Sequence, residues 1–189
     1  MRIAILAWGS LLWDRRDLML ASPFKPDGPS LPVEFSRVSR DRRLTLVIDE
    51  ERGTPCTTYV ASSAHLDLDQ AIDNLRRREN MPGSEGVGFV DTIEHTRSDI
   101  AWECHPRAVL AIEHWALRYG YRAAIWTTLA SNFHEPDKGD GPFSVEAALD
   151  YLGALDAGQL DRALQYFRNA PPEIRSPLRE AVDRRWPRE

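Results

Sequence analysis

Cysteine is scarce in this chain, with only Cys56 and Cys104 among 189 residues. Two cysteines that far apart make neither a disulfide framework nor a paired Cys-x-x-Cys zinc site, so a reducing compartment and two buried, thiol-bearing apolar side chains are expected. Long apolar runs are also missing. No window approaches the roughly 18 consecutive apolar residues of a membrane span. After Met1-Arg2 the chain is apolar only from Ile3 to Ala7, too short for a signal peptide and with no small-residue cleavage site behind it. A cytoplasmic location is the expectation. Charge of one sign is not in excess either: 24 Lys plus Arg against 29 Asp plus Glu give a net charge of −5. That balance offers nothing to a polyanion, so neither nucleic acid nor a membrane is an expected partner. Metal-ligand spacing is absent as well. Glu103-Cys104-His105 and Glu113-His114 are not His-Glu-x-x-His, and Asp137 to Asp140 lacks the alternating ligands and closing Glu of a calcium loop.

What is present is a length and a 42% hydrophobic content sufficient for a genuine core. Ile3 to Ala7, ended by Gly9, has the pattern of a strand buried on both faces at the centre of a sheet. Five prolines and glycines between Ala21 and Pro32 make that stretch a loop. Val33 to Val38, Leu44 to Ile48 and Cys56 to Ala61 follow as strands, the first two joined by a charged turn. Leu68, Ala71, Ile72 and Leu75 then recur at helical steps behind Asp67 and Asp69 as candidate N-caps, and Pro82-Gly83 stops that helix. Val87 to Ile93, Val109 to Leu117 and Tyr121 to Leu129 are expected as strands, the last two as a hairpin about Arg118-Tyr119-Gly120. Beyond Ser144 the apolar spacing is helical over Val145 to Leu155, Leu160 to Phe167 and Ile174 to Trp186. The expected division is therefore a β-rich domain over 1–143 and a helical extension over 144–189 packed on it.

Two constellations could carry chemistry. Trp8-Gly9-Ser10-Leu11-Leu12-Trp13 is a glycine-centred turn after a buried strand, where consecutive backbone N–H groups can converge on a carboxylate or oxyanion. Ser10 as a nucleophile is weaker, because no Gly-x-Ser-x-Gly elbow surrounds it and no histidine is paired with it in sequence. Glu79 stands at the C-terminal end of the predicted helix, where the helix dipole opposes a negative charge and a carboxylate suits proton shuttling. The plainer alternatives are an ordinary turn between two core tryptophans and a glutamate paired with a neighbouring arginine. Glu85 is the nearest rival carboxylate. Arg37, Arg40, Arg42 and Arg43 form either a solvated face or an anion patch, with Arg37 placed to take a substrate carboxylate.

In order and separation these motifs resemble the γ-glutamylcyclotransferase-like superfamily, including its ChaC-like branch. That family opens on a strand and a Tyr-Gly-Ser loop, matched here by Trp8-Gly9-Ser10-Leu11-Leu12-Trp13. Its acid/base glutamate ends a helix in a Leu-x-x-Arg-Glu segment, matched by Leu75-Arg76-Arg77-Arg78-Glu79. The resemblance spans Arg2 to Leu129 and implies an α+β fold: a mixed β-barrel of about six strands with flanking helices, here with the helical C-terminal extension. It implies cyclisation of a small γ-glutamyl substrate to 5-oxoproline with release of an amine, amino acid or dipeptide. Glu79 would be base and acid, Trp8, Gly9, Ser10, Leu11 and Leu12 would bind substrate, and no cofactor or metal would be needed. Three departures stand out. The family's tyrosine is Trp8, the loop after Glu79 is longer than the usual Glu-Gly turn and leaves Glu85 as an alternative, and the helices past Ser144 have no counterpart. A noncatalytic ligand-binding or protein-interaction module on the same fold is the rival expectation.

Overall fold

The computed structural model describes residues 2–187. In chain order the strands and helices are β1 (Arg2–Ala7), β2 (Ser30–Val38), β3 (Leu44–Ile48), β4 (Thr54–Thr57), β5 (Tyr59–Ser62), α1 (Leu68–Arg78), β6 (Val87–Asp91), β7 (Thr96–Arg97), α2 (Asp99–Cys104), α3 (Pro106–Arg118), β8 (Tyr121–Thr127), α4 (Val145–Gly153), α5 (Ala157–Asn169) and α6 (Pro177–Arg185). The class is α+β. Among the described residues the strands form two open sheets, ordered β5-β1-β8-β6-β7 and β3-β2-β4, and no closed barrel. None of the described helices is long and apolar enough to cross a membrane.

Two compact units share the chain, one made of 1–31 and 57–129 and the other of 32–56 and 130–189. The boundary expected at 143/144 thus falls inside the second unit.

The first unit is built on the five-stranded sheet. β1 is an interior strand, antiparallel to β5 and parallel to β8. Its apolar run follows from that position, since a strand covered on both faces has no use for alternation. On one face Ile3, Ile5 and Ala7 join Ala123 and Ile125 of β8, Val87 of β6 and Ala71 and Leu75 of α1 in a single core. The alternate residues Ala4, Leu6, Ala124, Trp126 and Val90 are also buried. Asp67 caps α1 by accepting from the Gln70 N–H at 2.9 Å, while Asp69 lies in the first turn.

Val109 to Leu117, expected as a strand, lies instead within α3. Val109, Ile112, Trp115 and Ala116 are buried at steps of three, three and one, which trace a helical stripe, and Pro106 occupies the first turn where a missing N–H costs nothing. The expected hairpin with β8 therefore does not form. Cys56 to Ala61, expected as one strand, is split at the buried Thr58, whose hydroxyl donates to the Pro29 carbonyl at 2.6 Å; β4 and β5 run in different sheets. Cys56 is buried as expected, and burial pushes its thiol up, whereas Cys104 is exposed at the end of α2.

The second unit packs the β3-β2-β4 sheet with α4, α5 and α6. Phe35 of β2 stacks on Phe167 of α5 at 4.1 Å, with Tyr166 edge-on at 6.2 Å. The three C-terminal helices are present, shifted by up to three residues at their ends from the expected ranges. Glu34 of β2 is 1% exposed, yet its carboxylate accepts from the Phe35 N–H at 2.7 Å and from the Ser176 hydroxyl that caps α6 at 2.5 Å. Arg179 of α6 in turn donates to the carbonyls of Ala170, Pro171 and Ile174, where α5 ends.

Gly88 of β6 faces Trp126 across the β6–β8 pair, and a Cβ there would lie 2.5 Å from Trp126 Cε2. Gly88→Ala should therefore lose about 1–3 kcal/mol in urea denaturation; an unchanged midpoint would contradict the packing. For Glu34, burial is the largest influence and raises its pKa above the ordinary 4.5. Protonation then stabilises the fold, a contribution present below 4.5 and lost as pH rises through the raised value. Glu34→Gln should be relatively most stable against the parent near neutral pH, the difference shrinking as pH falls towards 4.5. A pH-independent difference would count against a raised pKa.

Candidate functional site

The first unit brings the glycine turn and the end of α1 together. After β1 the chain passes the buried Trp8 and Gly9 and closes a 3-10 turn over Ser10–Leu12. Leu11 drops into the same buried core as Leu75 and the residues of β1, which anchors the turn on the sheet. The Leu12 N–H donates to the Gly9 carbonyl at 3.0 Å and the Asp14 N–H to the Ser10 carbonyl at 2.8 Å. Leu12 was expected as a loop donor, and its amide is thereby committed. In a 3-10 turn the first three N–H groups have no partner inside the turn, here those of Gly9, Ser10 and Leu11.

α1 lies against the segment that follows. Asn74, buried, accepts from the Met19 N–H at 2.9 Å and donates to the Asp17 carbonyl at 3.0 Å. One turn later Arg78 repeats the theme with charge. Its side chain is 2% exposed, its Nη2 donates to the Asp14 carbonyl, and both Nη atoms lie 3.4 Å from Ser10 Oγ. Arg16 closes the loop by donating to the Arg78 carbonyl at 3.2 Å. Arg76 and Arg77 behave differently, both pairing with the carboxylate of Asp73 nearer the surface.

Glu79 is the C-cap of α1 and its side chain is 19% exposed. The helix stops by backbone geometry: Asn80 takes φ +53°, the Asn80 N–H donates to Arg77 and the Met81 N–H to Arg76, the paired bonds of a Schellman ending. Arg76 reinforces the ending by donating to the Met81 carbonyl at 2.9 Å. That fixed reversal directs the Glu79 carboxylate to Arg78, with Oε1 2.7 Å from Nη1. A single buried guanidinium therefore touches both the glycine turn and the carboxylate singled out from sequence.

Glu85 stands elsewhere, exposed on a 3-10 turn over Ser84–Gly86 with its carboxylate folded over Gly83. It lines a cleft of about 640 Å³ along with Ile72, Asp73, Arg76, Phe89 and Asp99. Glu79 is not part of that lining. Arg37 belongs to the second unit, where its Nη1 donates to the Ala130 carbonyl at 2.6 Å; burial pushes its pKa down and the charge of Glu135 opposes this. Among the described residues no three His, Cys, Asp or Glu side chains converge as a metal-ligand set. The residue that sequence reasoning did not single out is Arg78: a neighbouring arginine was a possible partner of Glu79, and the structure makes it this one. Its signal was the Leu75-to-Glu79 segment itself, since a residue three after a buried leucine shares its helix face.

No family model, curated protein or solved structure matches the chain. The helix ending that sets Glu79 is open to test. Asn tolerates the left-handed conformation at position 80 better than any β-branched residue. Asn80→Val should cost about 1–2 kcal/mol in thermal or urea denaturation, while Asn80→Gly should equal or exceed the parent. Equal stability of both variants would contradict the left-handed ending.

Proposed function

We propose that the protein is a γ-glutamyl cyclotransferase acting at the junction of the glycine turn and the end of α1. The observation that carries this reading is the shared contact: Arg78 binds Ser10 Oγ, the Asp14 carbonyl and the Glu79 carboxylate together. The two motifs of the resemblance, 68 residues apart in sequence at Ser10 and Arg78, thus adjoin in space. The mixed five-stranded sheet carrying β1 and the α1 helix packed on it would stand in for the family's barrel.

The chemistry needs few parts. The α-amino nitrogen of the substrate attacks its own γ-carbonyl carbon, a C–N bond closes the five-membered ring, and the bond to the leaving nitrogen breaks. Glu79 takes the proton from the attacking ammonium and returns it to the departing nitrogen, so one carboxylate serves both steps. The turn amides of Gly9, Ser10 and Leu11 hold the glutamyl end and meet the negative charge that develops on the carbonyl oxygen. Trp8, buried beneath the turn, would form a wall of the site. Because nucleophile and electrophile belong to one molecule, positioning supplies much of the rate and no cofactor enters.

A specific observation favours a second reading. The Glu79 carboxylate is already held by a guanidinium at 2.7 Å, an arrangement equally suited to a noncatalytic module that binds a γ-glutamyl compound or a protein partner without turning anything over. Release of 5-oxoproline from glutathione, γ-glutamyl amino acids and γ-glutamyl amines separates the two. The cyclotransferase reading predicts release by the parent protein, a loss of about 100-fold or more in Glu79→Gln, and retention in Glu85→Gln. Loss in Glu85→Gln alone would move the acid/base role to that residue. Binding without release from any member of the panel would support the module.

A further inference from the structure

Resting on the cyclotransferase reading, we infer that Arg78 is a positioning residue of the site, a clamp that fixes the Glu79 carboxylate relative to the glycine turn. Three arginines end α1, and the surroundings set one apart. Arg76 and Arg77 share Asp73, a carboxylate at the surface, and pairs of that kind contribute little. Arg78 is 2% exposed and reaches three partners on two separate segments. Among the described residues its buried Nε has no hydrogen-bond partner, so the guanidinium is not placed for full satisfaction of its own donors. A buried cation with an idle donor is an expensive way to close a helix, and Asn74 one turn earlier already ties the Asp17–Met19 stretch to α1 with neutral bonds. What Arg78 adds is the link to the carboxylate.

The choice of arginine has a geometric reason. Its planar fork presents several N–H groups in fixed directions, so Nη1 can hold Glu79 while Nη2 holds the Asp14 carbonyl. A lysine offers one ammonium point and cannot span both at once. In this account Arg78 neither gives nor takes a proton. It holds Glu79 within reach of the attacking nitrogen and keeps the Ser10–Asp14 turn in register beneath the substrate.

Arg78→Lys, Arg78→Met and, as a control of equal charge change one residue away, Arg77→Met test this. The positioning role predicts that kcat for 5-oxoproline release falls about 100-fold in Arg78→Met and about 10-fold in Arg78→Lys. KM should move less than about threefold, and Arg77→Met should stay near the parent. Should Arg78→Met fail to fold, Arg78→Lys carries the comparison. Full kcat in Arg78→Lys, or an equal fall in Arg77→Met, would overturn the role. Hydrogen exchange supplies a readout that needs no turnover: the Asp14 amide should exchange at least about tenfold faster in Arg78→Lys than in Arg77→Met. If the parent releases no 5-oxoproline, the cyclotransferase reading fails by itself, and unchanged exchange at Asp14 would then overturn the clamp as well.

Discussion

The buried charge of Arg78 is the constraint around which the first unit's candidate site is arranged. A guanidinium at 2% exposure persists only if its surroundings supply acceptors, and here they come from the glycine turn, from the backbone that follows it and from Glu79. Those acceptors must be in place for the end of α1 to pack as it does. The backbone supplies the other half of the constraint, because the left-handed Asn80 and its paired bonds stop the helix at one residue and so fix where Glu79 stands. Side-chain charge and main-chain geometry agree on a single arrangement.

The sheet makes that arrangement possible. β1 delivers the glycine turn from its C-terminal end, and Leu11 and Leu75 meet in the same core as Ile3, Ile5 and Ile125. The turn carries its apolar anchor within it, at Leu11, and the helix end stands one helical turn beyond its own, at Leu75. A site built on short extensions from packed elements holds its geometry better than one on long loops. Glu85 illustrates the contrast: it rides on an exposed turn beside an open cleft, with Gly83 beneath its carboxylate.

Much of this was legible in the sequence where one physical signal dominated. Ile3 to Ala7 has the uninterrupted apolar run of an interior strand, and Asp67 with Leu68, Ala71 and Leu75 marks a capped amphipathic helix; both elements form. α3 was illegible as a helix because Val109, Leu110, Ala111 and Ile112 are contiguous and apolar, a pattern that a buried strand shares. The buried stripe through Ile112, Trp115 and Ala116 and the Pro106 start resolve the ambiguity only when the whole segment is weighed. The split at Thr58 depends on a hydroxyl meeting a carbonyl 29 residues earlier, which no local pattern encodes. At the site, Glu79 and the glycine turn could be singled out, but Arg78 could not be told from Arg76 and Arg77. All three carry the same charge, and only the tertiary fold decides which one loses its water.

A crystal structure of the protein with 5-oxoproline bound tests the central claim most directly. The account predicts the lactam beside the glycine turn, its oxygen accepting from the Ser10 or Leu11 amide and its ring nitrogen within hydrogen-bond reach of the Glu79 carboxylate. A product molecule lodged instead in the cleft beside Glu85, with the glycine turn untouched, would contradict it.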